Sequence, residues 1–169
     1  MIKIELAEIS DLDRIMKIIE ACATDLISKK IFQWSKKYPN REVFKDDIKN
    51  NELYVFKHKS EIIGCVVLCS TKDVEYKDVE WLPEDGKNLY IHRLAVDPKF
   101  QKKGVGKSLM DFSEEYAQEN GFKSIRLDTF SQNKRNNKFY KSRQYIRLSD
   151  VFFPMQSEFP FHCYEKIIN

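Results

Sequence analysis

Apolar and polar positions alternate through Met1-Ile2-Lys3-Ile4-Glu5-Leu6, which predicts a half-buried strand over residues 2–6. The period then lengthens. Leu12, Ile15, Ile19 and Cys22 share one helical face, with Ser10 as N-cap and Asp13 at the capping-box position. A second helical region is expected through Ile31, Phe32 and Trp34 to Pro39, and a short helix over 41–49. Residues 52–57 and 61–70 read as two strands about the turn His58-Lys59-Ser60, the second carrying an unbroken apolar run suited to full burial. Residues 71–86 are polar and acidic, contain Pro83 and Gly86, and read as a loop. A strand over 89–96 stops at Asp97-Pro98. Val105, Leu109, Phe112 and Tyr116 then recur at helical spacing until Gly121. A strand over 123–130, a helix over 134–143, and a hairpin of 145–153 with 161–168 complete the chain. The order β-α-α-β-β-β-α-β-α-β-β predicts an α/β fold with a mixed sheet, as a single domain over residues 1–169.

Between the strand ending at Val96 and the helix opening near Val105 lies Gln101-Lys102-Lys103-Gly104-Val105-Gly106-Lys107-Ser108. Two glycines allow a tight turn into the helix, so unpaired N–H groups can converge on one anion, with Lys102, Lys103 and Lys107 adding charge. This is a phosphate cradle. A nucleoside-triphosphate loop would need glycine at position 101, where Gln101 stands. The candidate magnesium-holding strand Ile125-Arg126-Leu127-Asp128 is interrupted by Arg126. Nucleotide hydrolysis is set aside.

Gln/Arg-x-x-Gly-x-Gly/Ala, after a strand and opening a helix, resembles the acetyl-CoA loop of the GNAT superfamily of acyl-CoA N-acyltransferases. Farther on, Asn133-Lys134-Arg135-Asn136-Asn137-Lys138-Phe139-Tyr140 is similar to that superfamily's Asn-x-x-(small)-x-x-Phe-Tyr motif. The resemblance covers the whole chain in element order and is residue-specific mainly over 88–145. It implies the superfamily's mixed-sheet fold and acetyl-CoA as cosubstrate. Two positions depart from the family pattern: Asn136 stands where a small residue is usual, and Arg143-Gln144-Tyr145 replaces Leu-Gly-Phe.

By that resemblance Leu94, Ala95 and Val96 contact the pantetheine arm. Gln101, Lys102, Lys103, Gly104, Val105, Gly106, Lys107 and Ser108 hold the diphosphate, and Asn133, Asn136, Phe139 and Tyr140 form a cofactor wall. Acyl transfer to an amine requires positioning, loss of an ammonium proton, and stabilisation of the oxyanion and departing thiolate. Tyr140 matches the family's general acid; an ordinary tyrosine, with a pKa of about 10, stays protonated at neutral pH. His92 matches a histidine that some members use as base. Asp128, the acids of residues 73–85, or a water are the alternatives. Arg93 alternates to the face opposite His92 and reads as a sheet-covering cation.

Composition fits this reading. Hydrophobic residues make up 42% and charged residues 33%, ordinary for a globular domain, and the net charge of +3 is too small to argue for nucleic acid. Cys22, Cys65, Cys69 and Cys163 show no metal spacing and read as inert thiols, so direct transfer in a ternary complex without a metal is expected. No apolar run is long enough for a membrane span, and no signal peptide is evident, which points to the cytoplasm. The acceptor is expected to be a small-molecule amine. Trp34, Tyr38, Phe152, Phe153 and Phe159 offer aromatic walls, and the acidic loop offers Asp73, Glu75, Asp78, Glu80, Trp81, Glu84 and Asp85. A non-catalytic acyl-CoA-binding module and a protein N-acetyltransferase are the alternative readings. The terminal strands offer a surface for a homodimer.

Overall fold

Strong hydrophobic periods become the expected elements in the computed structural model, which describes residues 1–169. The strands are β1 (Ile2–Leu6), β2 (Leu53–His58), β3 (Glu61–Cys69), β4 (Asn88–Val96), β5 (Ser124–Phe130), β6 (Ile146–Val151) and β7 (Phe161–Ile167). The helices are α1 (Leu12–Ser28), α2 (Arg41–Lys49), α3 (Val105–Glu119) and α4 (Lys134–Ser142). Their order along the chain is the expected one. The strands hydrogen-bond as β1-β2-β3-β4-β5-β7-β6. The β4–β5 pair is parallel, while β1–β2, β2–β3, β5–β7 and β6–β7 are antiparallel, so the sheet is mixed.

Three local expectations differ. Residues 31–40 form no helix: Pro39 disfavours helical backbone at Tyr38, and Asn40 caps α2 by accepting from the Val43 N–H at 3.1 Å. Ser10 does not cap α1. A 3-10 turn, Ile9–Asp11, precedes the helix, and its cap is Glu8, whose N–H donates to Asp11 Oδ2 at 2.9 Å. Residues 71–86 are not all irregular, because Val74–Asp78 forms a 3-10 turn that buries Tyr76 completely.

The contacts divide the chain into two units, with β4 and α3 each contributing residues to both. The first comprises residues 1–68 and 92–113. Its core joins Leu12, Ile15, Ile18 and Ile19 of α1 with Phe44 of α2 and Leu53, Val55, Cys65, Val67 and Ala95 of the sheet. Each large apolar side chain so enclosed contributes roughly 1.5–3 kcal/mol. Trp34, expected as an acceptor wall, belongs to this core. The hairpin β2–β3 turns through Lys59 and Ser60, both in the left-handed region (φ 48° and 68°), the geometry of a two-residue type I′ turn.

The second unit comprises residues 69–91 and 114–169. Its largest enclosed side chains are Arg126, Tyr76, Tyr164 and Phe130. Arg126 and Glu165 face each other across the β5–β7 register and join at 2.8 Å, both fully buried. Arg126 also donates to Asp85 Oδ1 (2.8 Å), Tyr90 Oη (3.0 Å) and the Pro83 carbonyl (3.1 Å) and lies under the Trp81 ring. Glu165 accepts from the Leu82 N–H at 2.6 Å. This network fastens the acidic loop to the sheet. It also uses Trp81 and Asp85, two residues expected at an acceptor rim.

Candidate active site

In the first unit the glycine turn is shaped as a cradle. Gly104 adopts φ +83°, and the space its missing Cβ would occupy is open. Lys102, at φ +61°, sets up the same turn. The Ser108 N–H donates to the Gly104 carbonyl at 2.9 Å, the first bond of α3. The N–H groups of Val105, Gly106 and Lys107 therefore belong to the opening turn, which has no acceptor within its own helix and carries the positive end of the helix dipole. Gly106 is partly exposed, and Lys102, Lys103 and Lys107 are exposed around it. Lys103 lies over the Phe100 ring and Lys107 pairs with Asp111 at 2.8 Å. Gln101 ties the turn to the strand by donating to the Val96 carbonyl at 3.1 Å. A diphosphate fits this donor set.

The strand leading into the cradle is bent at one residue. Arg93 takes φ +50°, which breaks the strand alternation on which its sheet-covering reading rested. Its guanidinium instead grips Asp47 of α2 with two bonds, at 2.9 and 2.6 Å, and donates to Tyr38 Oη at 3.2 Å. Burial draws the Asp47 carboxyl upward, and the paired guanidinium opposes that shift. Nothing in the sequence signals a partner 46 positions away. Leu94 and Val96 are partly exposed while Ala95 is buried. His92 has its Nε2 shielded from solvent. Burial, aided by the neighbouring Arg93 charge, holds its imidazole down at about 3, so it is neutral at physiological pH.

Other residues singled out in the sequence lie in the second unit. Asn133 is buried and caps α4, accepting from the Asn136 N–H at 3.1 Å. Asn136 and Phe139 are partly exposed. Asn137 anchors the helix by donating to the Phe130 carbonyl at 3.0 Å and accepting from Tyr164 at 2.7 Å. Tyr140 is buried among Phe139, Tyr145 and Tyr164, with ring centroids 5.3 to 6.0 Å away. Burial, and then the Asp128 carboxylate, push its hydroxyl above the usual tyrosine range, so it remains protonated. Asp128, partly exposed on β5, accepts a hydrogen bond from Tyr76. Tyr76 was missed in the sequence because it sits in an acidic stretch; its spacing of three residues from the apolar Val79 is the one signal of burial there. The thiols of Cys22 and Cys65 are pushed up to about 12 by burial, and that of Cys163 is raised as well, as expected for inert cysteines.

Residues 12–145 match the profile described as the Acetyltransferase (GNAT) family, well over half of the chain. The chain belongs to that family. The GNAT assignment has support from relatives. Over 100 residues it is 30% identical to an uncharacterized N-acetyltransferase in the pepI 3′ region of Lactobacillus delbrueckii subsp. lactis, a match spanning 59% of this chain. The chain spans about half of that relative's length, 54%. Its fold is that of a GNAT acetyltransferase from Streptococcus agalactiae 2603, with a TM-score of 0.85 at 21% identity over 99% of this chain and 96% of that one. It is also similar to the PaiA N-acetyltransferase of Thermoplasma acidophilum, solved in complex with coenzyme A. That likeness has a TM-score of 0.70 at 20% identity and covers 99% of both chains. No helix of this GNAT protein is long and apolar enough to cross a membrane.

Proposed function

We propose that this protein, as one functional domain over residues 1–169, is a cytoplasmic N-acetyltransferase that moves the acetyl group of acetyl-CoA directly to a small-molecule primary amine. The observation that carries the reading is the glycine turn at the start of α3, with its open Gly104 and its first-turn N–H groups, in a chain of the acetyltransferase family. Acetyl-CoA supplies the activated acyl group as a thioester. Gly104, Val105, Gly106 and Lys107 hold its diphosphate through backbone N–H groups, with the Ser108 side chain beside them and Lys102 and Lys103 adding charge. Leu94, Ala95 and Val96 line the pantetheine arm, and Asn136 and Phe139 contact the cofactor. Tyr140 gives its proton to the departing thiolate. A hydroxyl raised by burial suits this task, because it is fully protonated at working pH.

Two measurements test this. Calorimetry should show acetyl-CoA binding and no uptake of ATP with magnesium; the reverse result ends the proposal. Tyr140→Phe should keep acetyl-CoA affinity close to wild type while cutting thiol release, assayed over a panel of amines, by about 10²-fold or more. Unchanged turnover would remove Tyr140 from its role.

A further inference from the structure

We propose that Asp128, positioned by the buried Tyr76, seats the ammonium of a cationic acceptor and takes its proton. The inference rests on the acetyltransferase reading and names the substrate class and the base within it.

Tyr76 is fully buried within an otherwise polar stretch, and its hydroxyl donates to Asp128 Oδ2. Removing that acceptor would strand a buried hydroxyl. The Tyr76 ring is fixed edge-on to Trp81 at 5.2 Å and lies 5.9 Å from Tyr90. Trp81 is held over Arg126, which is paired with Glu165. A chain of contacts thus runs from the β5–β7 ion pair to one oxygen of Asp128. Asp128 itself keeps partial exposure.

The Asp128 charge is felt at the Tyr140 hydroxyl and at the Cys163 thiol. The two proton transfers of the reaction need one base and one acid. His92 is poorly suited by comparison, because its Nε2 is shielded from solvent.

Asp128 takes one proton from R–NH3⁺, and the freed lone pair forms the C–N bond as the C–S bond breaks. The thiolate takes the Tyr140 proton. The second nitrogen proton leaves as the amide forms and restores Tyr140 through solvent. Asp128 returns its proton to solvent, so one proton is released per acetyl group moved.

The experiment compares two acceptors in wild type, Asp128→Asn and Tyr76→Phe: putrescine, an ammonium at neutral pH, and methoxyamine, already uncharged there. Asp128→Asn should lose about 10²-fold or more in kcat/KM for putrescine and less than about tenfold for methoxyamine. Tyr76→Phe should show a smaller loss with the same split. Equal losses on both acceptors would overturn the assignment and leave the acetyltransferase reading standing. No turnover of any amine by wild type would overturn both. A second readout needs no turnover. In the CoA complex labelled at aspartate carboxyl carbons, the resonance missing from Asp128→Asn should shift saturably as putrescine is added; a resonance that stays put overturns the proposal.

Discussion

Gln144 holds a backbone conformation that glycine adopts at lower cost. It follows α4 at φ +68°, and the helix ends through Gln144 N–H to the Lys141 carbonyl (3.0 Å) and Tyr145 N–H to the Tyr140 carbonyl (3.1 Å). The left-handed turn that glycine commonly makes after a helix is therefore kept without glycine. Its neighbours help to hold it. Arg143, Tyr145 and Lys166 all converge on Glu114, at 3.0 to 3.3 Å. Gln144 is exposed, so shortening its side chain removes no packing. Gln144→Gly should raise the unfolding free energy by about 1 kcal/mol in urea denaturation; a lower value would mean that the turn is not strained. This residue, like Arg93, shows where the sequence is silent. A long polar side chain gives no hint of positive φ, because tertiary bonds such as those from Arg93 to Asp47 impose the conformation.

At the scale of elements, legibility followed the strength of the hydrophobic period. The apolar run of β3 specifies burial by itself and stands as expected. The four-three-four spacing gives the helix α3, but only Val105 and Leu109 of its four positions are buried, Phe112 and Tyr116 being partly exposed. The Gly104–Gly106 turn was legible for a similar reason, since only glycine leaves its Cβ space open there. Residues 31–39 and 71–86 were misread because their order comes from outside the segment. Trp34 is drawn into the core of α1 and α2, and Tyr76 is covered by Trp81 and Tyr90. Arg126 and Glu165, each unremarkable in its own strand, become a buried pair only through the β5–β7 register. Removing one partner leaves the other charge enclosed, so Glu165→Ala should cost about 3–5 kcal/mol of stability. The same change frees the Leu82 N–H, and amide exchange should accelerate first in residues 74–82. Equal acceleration in α1 and α2 would show that the pair does not fasten this loop in particular.

Across the whole molecule, the response to acid separates by group. Asp97 is desolvated, but Arg14 at 2.7 Å and the Lys99 N–H hold its carboxyl below the usual range. Asp85 is held down by Lys72 and Arg126. Their contributions are complete above about pH 4 and vanish only as the pH falls below the ordinary carboxylate pKa. His92 acts in a different window. Its folded value lies at about 3 against an ordinary 6.5, so the unfolded chain binds the proton first. Its contribution is complete above 6.5 and falls by about 1.4 kcal/mol per pH unit as the pH drops from there toward 3. Glu52 opposes it: burial and Asp47 raise its carboxyl, so the folded chain takes that proton more readily. Comparing wild type with His92→Gln isolates the histidine, because Glu52, Asp97 and Asp85 are common to both. Urea unfolding at several values between pH 7 and pH 4 should give curves that diverge below about 6.5, the variant keeping stability that the wild type loses. Parallel curves over that range would mean that the folded protein admits a charged imidazole at position 92.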